Sequence, residues 1–292
     1  MAEGTSLESL GTDSSIWIQC LENGLSGMTY KVKHAVACEA SPFQKIEVFD
    51  TYAFGRILML AGSVVVTEKD EFIYNEMISH PALLMHPDPA KVCVIGGGDG
   101  GAAREALKHD AVKSLTVVEI DELVIKTIRK HFPSMRSAFA DERTKVVIED
   151  GNRYLTKTKD KYDVIIVDSY DPGGPVQSIT SEPFFPLVAK RLAPGGIAVF
   201  LADSPTLRPD LARHTLRNAS AAFAQHRSYV CAIPSFPDEL CCFVIASNEA
   251  DGLDRYDKKR DTAVAPKCRC YSREFLTGSF MLPKHVAEAL QG

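Results

Sequence analysis

The chain has one tryptophan in 292 residues, no Cys-x-x-Cys pair among its eight cysteines, and no excess of positive charge. It also lacks any apolar run of about 18 residues, so no membrane-spanning segment is expected. Met1–Ser15 is rich in Ser, Gly and Glu, with neither a basic nor an apolar stretch. It reads as a loose tail rather than a secretory signal. Cys20, Cys38, Cys93, Cys231, Cys241, Cys242, Cys268 and Cys270 show no partnered histidine spacing. We expect reduced structural thiols, no metal and a cytoplasmic setting. Lys and Arg number 33 against 38 Asp and Glu, a net charge of −5. That balance argues against nucleic acid and anionic membranes as partners, since both reward basic patches. It agrees with cationic small molecules without requiring them.

An apolar share of 45% is enough for a sizeable core. From Trp17 to about Thr67, short strand patterns follow one another with no helix between them: Tyr30–Cys38, Lys45–Phe49, Arg56–Leu60 and Val64–Thr67. Strands so closely spaced predict a small antiparallel sheet, and hence a β-domain over residues 16–70. The period then changes. A helix over Glu71–Met85, stopped by Pro87 and Pro89, opens an alternation of strands and helices. The strands are Lys91–Ile95, Ser114–Glu119, Thr144–Glu149, Tyr162–Asp168, Gly196–Leu201, Arg227–Ala232 and Cys241–Ala246. The helices start near Gly101 and cover Asp121–Phe132, Ser181–Leu192 and Pro209–Phe223. Val- and Ile-rich strands joined in this way predict a mostly parallel sheet covered on both faces, over residues 71–292. The charged stretch Asn248–Pro266 reads as a surface loop.

The first strand-to-helix turn of that sheet is Gly96-Gly97-Gly98-Asp99-Gly100-Gly101. It fits both the dinucleotide fingerprint and the shorter glycine pattern of adenosylmethionine-type sites, and it lies where either must lie, after a strand and before a helix. Glu119 ends the next strand, where an acid accepts from ribose hydroxyls. Asp99 helps separate the two ligands. A dinucleotide would bring a pyrophosphate to this helix start, and a carboxylate there would repel it at close range. A cationic nucleoside reverses the sign. Asp99 also suits a plain helix cap. Asp150-Gly151, after the third strand, can meet an adenine, or Asp150 can be a turn residue.

The segment Asp168-Ser169-Tyr170-Asp171-Pro172-Gly173-Gly174-Pro175 directly follows the fourth strand. Two acids three residues apart at a strand's carboxyl end border the crevice where ligands bind in such sheets. With Asp99 close by, they predict an anionic patch.

Together with Asp70-Glu71-Phe72-Ile73-Tyr74-Asn75-Glu76-Met77 and Glu119-Ile120-Asp121, these motifs resemble the spermidine synthase (polyamine aminopropyltransferase) family. The likeness runs from about Trp17 to Phe280-Met281-Leu282-Pro283. The resemblance implies a Rossmann-like, doubly wound, mostly parallel sheet of the class I methyltransferase kind behind the small N-terminal antiparallel β-domain. It implies a homodimer with no cofactor beyond its co-substrate. That co-substrate is decarboxylated S-adenosylmethionine, and a diamine, usually putrescine, is the acceptor. Carried over by position, Gln44, Gly96, Gly98, Asp99, Gly100, Glu119, Asp150 and Gly151 hold the donor. Asp168 and Tyr74 act at the reacting amine. Asp171 anchors the acceptor, and Trp17, Asp203 and Phe236 border its channel.

Several positions depart from the family pattern on the acceptor side. Leu60-Ala61-Gly62-Ser63-Val64-Val65 lacks an acid and an amide. Leu201-Ala202-Asp203 keeps only a short acid, Phe236 stands for a usual Tyr, Glu239 and Cys242 stand for glycines, and Leu276 for a His. Losing polar partners for a distant ammonium is costly. The acceptor is therefore putrescine, or a different amine such as agmatine, 1,3-diaminopropane or a longer polyamine. Methyl transfer from adenosylmethionine and a non-catalytic paralogue remain as other classes.

Overall fold

A computed structural model describes residues 16–22, 26–168, 181–237 and 240–291. The tail Met1–Ser15, the acid Asp171 and Glu239 lie outside the described residues. The N-terminal part is a five-stranded antiparallel sheet in chain order: β1 (Ile16–Glu22), β2 (Ser26–Ala40), β3 (Lys45–Thr51), β4 (Arg56–Leu60) and β5 (Ser63–Thr67). Sequence alone did not single out β1. It pairs with β2 along its whole length, from Ile16 opposite Val32 to Glu22 opposite Ser26. Irregular register between β2 and β3 curls the sheet. The Val64 amide of β5 then reaches Cys20 Sγ of β1 at 3.3 Å. Cys20, Tyr30, Ile57, Met59 and Val64 fill the space inside the curl.

The larger part is a seven-stranded mixed sheet. Its strands are β6 (Lys91–Gly96), β7 (Ser114–Glu119), β8 (Thr144–Ile148), β9 (Tyr162–Asp168), β10 (Leu192–Leu201), β11 (Gln225–Ala232) and β12 (Leu240–Ser247). Their spatial order is β11-β12-β10-β9-β6-β7-β8, with β12 antiparallel to both neighbours. This is the methyltransferase-like arrangement. The order reverses between β6 and β9, which pair in parallel and end together, with Gly96 opposite Asp168. The crevice outside that reversal is where ligands bind in open α/β sheets.

Helices cover both faces: α1 (Glu71–Met85), α2 (Gly101–Leu107), α3 (Glu122–His131), α4 (Pro133–Arg136), α5 (Gly151–Lys157), α6 (Phe184–Arg191), α7 (Pro209–Ala222), α8 (Lys258–Val264), α9 (Arg273–Ser279) and α10 (Lys284–Gln291). Among the described residues no helix is long and apolar enough to cross a membrane. Helix α1 is buried almost all round and belongs to the core on one face of the sheet. Pro81 sits inside it and has no N–H to offer the carbonyl one turn back, Met77 O. The buried Tyr229 hydroxyl donates to that oxygen at 2.8 Å, so the helix continues.

The stretch Asn248–Pro266 is not wholly a loop. Asp257 accepts from the Lys259 and Arg260 amides and starts the two-turn helix α8. Seven residues are too few for a clear helical period, which is why charge pattern alone misread the segment.

Candidate active site

The glycine turn and three strand ends converge at the β6/β9 reversal. The Gly97 amide donates to the Asp168 carbonyl at 2.9 Å, tying the turn to the end of β9. The Tyr74 hydroxyl, from the first turn of α1, donates to Asp168 Oδ1 at 2.6 Å. Among the described residues nothing donates to Asp168 Oδ2, which is buried. Glu119, at the end of β7, accepts from the Gly98 amide at 3.1 Å and the Asp121 amide at 2.8 Å. Gly98 is what lets the turn come this close: a Cβ there would lie 2.6 Å from Glu119 Oε2. Gly100 has φ +78°, a conformation costly for any side chain, and it opens α2.

Asp99 points one oxygen at the Gly101 amide, at 2.6 Å. This is a local turn bond and not the plain helix cap the sequence allowed, since Gly100 holds the cap position of α2 without a side-chain cap bond, and Asp99 belongs to the anionic group. Burial pushes its carboxyl up to about 6, with the nearby Glu71 charge adding to the rise. Burial likewise lifts Glu119 to about 7. Asp168 is raised furthest, to about 8, by burial first and then by the Asp99 carboxylate. Burial beside Asp168 also holds the Tyr74 phenol well above its usual range, as a permanent donor. Three carboxyls, Glu119 and Asp168 buried and Asp99 half-buried, thus share a place where their negative charge is under-compensated. Desolvation and like charge both penalise ionisation, and an incoming cation would relieve both.

Gln44, on the turn between β2 and β3, donates to Asp121 Oδ2 at 3.2 Å, and Ser41 donates to the same oxygen at 2.6 Å. The N-terminal sheet is thereby fastened beside Glu119, since Asp121 also caps α3. Asp150 caps α5 by accepting from the Arg153 amide at 2.8 Å, and Gly151 is the buried first residue of that helix. Phe236 lies 6.3 Å and Phe243 5.5 Å from the Tyr74 ring, centroid to centroid.

Two further expected site residues sit on other elements, Asp203 just after β10 and Trp17 on β1. Asp203 has φ +66° and accepts from the largely buried Arg208 guanidinium at 2.8 Å. Trp17 is 53% exposed on the edge strand β1, opposite Lys31. Sequence reading quoted Asp70 within a motif and gave it no role. This buried acid accepts from Thr67 Oγ1 at 2.5 Å and from the Ser235 amide and hydroxyl at 2.9 and 2.8 Å. Tyr30 adds a 2.6 Å bond to the Ser235 carbonyl. The loop that carries Phe236 is thereby locked to the start of α1. At the sequence level Asp70 looks like an ordinary helix-start acid, and only the return of Ser235 from 165 residues away reveals its task.

Family models agree on both parts of the chain. Residues 71–257 match the spermine/spermidine synthase domain, and residues 16–68 match the spermidine synthase tetramerisation domain. The chain belongs to the spermidine synthase family. A polyamine aminopropyltransferase of Bacillus subtilis is 36% identical over 278 residues, covering 95% of this chain and 100% of the relative. Another, from Shouchella clausii, is 37% identical over 265 residues, 91% of this chain and 95% of the relative. Among solved structures, a spermidine synthase in complex with the transition-state analogue AdoDATO superposes with a TM-score of 0.92 at 30% identity. It covers 98% of this chain and 99% of that one. The spermidine synthase of Thermotoga maritima gives 0.90, also at 30% identity, with the same coverage.

Within this family of transferases the departures noted in the sequence fall at distinct places. Cys242 packs into the core on the face of the sheet opposite Tyr74 and Phe243, because neighbouring strand residues alternate sides. Leu276 is buried in the core that includes Tyr74. Leu201 is partly buried at the end of β10, paired with Phe243.

Proposed function

We propose that this aminopropyltransferase uses decarboxylated S-adenosylmethionine as donor and putrescine as acceptor, giving spermidine and methylthioadenosine. The observation that carries the reading is the buried Asp168 carboxyl: Tyr74 fills one oxygen, the other has no donor among the described residues, and the charges of Asp99 and Glu119 act on the group. Such a group asks for cations, and both proposed substrates are cationic. The neighbour solved with AdoDATO supports the choice of donor. On this reading Gly96, Gly98, Asp99, Gly100, Glu119, Asp150 and Gly151 hold the nucleoside, with Gln44 beside them.

The sulfonium is already a good leaving group, so positioning and desolvation dominate. The acceptor nitrogen attacks the methylene carbon next to sulfur and forms the C–N bond. The C–S bond breaks, and its electron pair leaves with sulfur as the neutral thioether. Asp168 accepts the proton that the amine gives up. An alkylammonium near 10.4 and an ordinary aspartate near 3.9 are badly matched. A carboxyl raised to about 8 narrows that gap and makes a better base. Tyr74 fixes the carboxyl orientation and offers a ring face to a cation.

The exposed Trp17 and Leu21, on one face of β1, support an assembly surface there. This agrees with the tetramerisation model that the segment matches. The family resemblance adds the expectation of a dimer as its basic unit, working in the cytoplasm.

An acceptor screen with decarboxylated adenosylmethionine tests the reading, with products identified by mass. Spermidine formed from putrescine, with one methylthioadenosine each, is the expected result. A better product from agmatine, 1,3-diaminopropane or a longer polyamine would move the acceptor but leave the donor reading intact. Methyl transfer from adenosylmethionine with the decarboxylated donor unused would overturn it. If Phe236 and Leu201 line the acceptor path, Phe236→Tyr combined with Leu201→Gln improves kcat/KM for putrescine. A gain of about tenfold corresponds to one added hydrogen bond.

A further inference from the structure

A second buried polar cluster lies where α1, α2 and the segment leading to α9 meet. His80 Nε2, Glu105 Oε2 and Cys268 Sγ all fall within 4.8 Å of one another. His80 Nε2 is 3.0 Å from the Glu105 oxygen and 3.2 Å from the Cys268 sulfur. His80 and Glu105 are sealed from solvent, while Cys268 is partly open. On the far side of the imidazole, His80 Nδ1 is 3.0 Å from His109 Nε2. A second hydrogen-bonding group on the other ring nitrogen is what fixes a metal-binding histidine in tautomer and orientation.

We propose that His80, Glu105 and Cys268 bind a thiophilic divalent cation of the Zn2+ type. With the proton of His80 on Nδ1, toward His109, a bare nitrogen lone pair faces a carboxylate and a sulfur. Three electron-rich atoms so arranged offer a seat for positive charge. Imidazole, thiolate and carboxylate form a mixed donor set that suits Zn2+, whereas Mg2+ and Ca2+ prefer oxygen alone. Acids and cations both face the cluster: Glu71, Glu76, Glu105 and Asp261 against Arg104, Lys108, Arg260 and Lys267. A divalent ion would bind by displacing the thiol proton. The partly open Cys268 provides an entrance from solvent.

Lys108 is the competitor, with Nζ 2.5 Å from Glu105 Oε2. It also reaches the Lys267 carbonyl at 3.0 Å and lies 3.9 Å from Glu76 Oε1, so it has other partners when a metal takes the Glu105 oxygen. The ion-free alternative is a chain of hydrogen bonds from His109 to His80 to Glu105, with the Cys268 thiol donating to the Val264 carbonyl. A metal would join α1, which carries Tyr74, to α2, which opens from the glycine turn, and to the C-terminal segment. It would act as a staple and raise the thermal midpoint by mass action. The sequence offered no sign of it, because the three ligands come from distant parts of the chain.

The test is titration of untagged, chelator-treated protein with Co2+, followed by Zn2+. The site predicts a near-ultraviolet sulfur-to-cobalt absorption that saturates at one ion per chain and is bleached by Zn2+. The band is lost in Cys268→Ala, kept in Cys270→Ala, and reached at severalfold lower Co2+ in Lys108→Gln. Wild-type turnover of Cys268→Ala shows that its fold is intact. No band at stoichiometric cobalt, or a band that survives Cys268→Ala, overturns the site whether or not the enzyme accepts putrescine.

Discussion

Asp168 has two oxygens in opposite circumstances, one held by a phenol and one without a donor among the described residues. Asp168→Asn keeps the shape and removes the charge. Turnover should fall by about 10²–10⁴, the usual contribution of a general base, while donor affinity changes little. Unchanged turnover would take Asp168 out of the mechanism. The same variant has a pH signature. Carboxyls raised to about 6, 7 and 8 in the native state keep protons that the unfolded chain has already lost. Native protein therefore binds more protons than unfolded protein between about pH 4 and 8. The contribution of these groups to stability is largest below that window and is lost as pH rises through it. Asp168→Asn should thus gain on wild type with rising pH, by on the order of 1–3 kcal/mol at pH 8.5 in ligand-free melts. A constant offset would mean that Asp168 ionises normally. In kcat/KM the acidic limb should report the same group. Asp99→Asn removes the charge that helps to raise Asp168, so it should move that limb to lower pH besides weakening the donor.

Helix α1 joins core to chemistry, for it brings Tyr74 to Asp168 and packs its remaining length into the core. Its helical path through Pro81 depends on the Tyr229 hydroxyl at the Met77 carbonyl. Tyr229→Phe leaves that carbonyl buried without its partner, at a cost of about 1–3 kcal/mol. Denaturant melts that fail to register a loss would show that the carbonyl finds another donor. At this scale the sequence was most readable. The run from Glu71 to Met85 was predicted as the helix that forms, and the parallel strands were read within a residue or two because their Val- and Ile-rich runs stand out, except that β10 begins four residues before the expected Gly196. What escaped was short or irregular. The edge strand β1 was not singled out although it is as long as β3, and α8 is only two turns long. The C-terminal helices α9 and α10 were not read either.

For the molecule as a whole, the legible part of the site was the part written on strand ends. Asp99, Glu119 and Asp168 follow apolar strands, so topology alone brings them to one crevice. Residues that act by returning from far along the chain were not legible: Ser235 on Asp70, Ser41 and Gln44 on Asp121, Arg208 on Asp203. No local pattern encodes such pairings. The curled N-terminal sheet adds a face of β1 with Trp17 and Leu21 exposed. If it is an assembly face, Leu21→Asp should reduce the mass measured by light scattering and leave the far-ultraviolet spectrum unchanged. An unchanged mass would move the interface elsewhere.

One comparison addresses the buried acidic group directly: calorimetric affinity for decarboxylated adenosylmethionine against its neutral product methylthioadenosine, between pH 6 and 8.5. The sulfonium should bind at least about tenfold more tightly, about 1.4 kcal/mol. The gap should widen with pH as the carboxyls ionise, and protons should be released on binding at neutral pH. Equal affinities at every pH, or no proton release, would contradict a cavity built for cations.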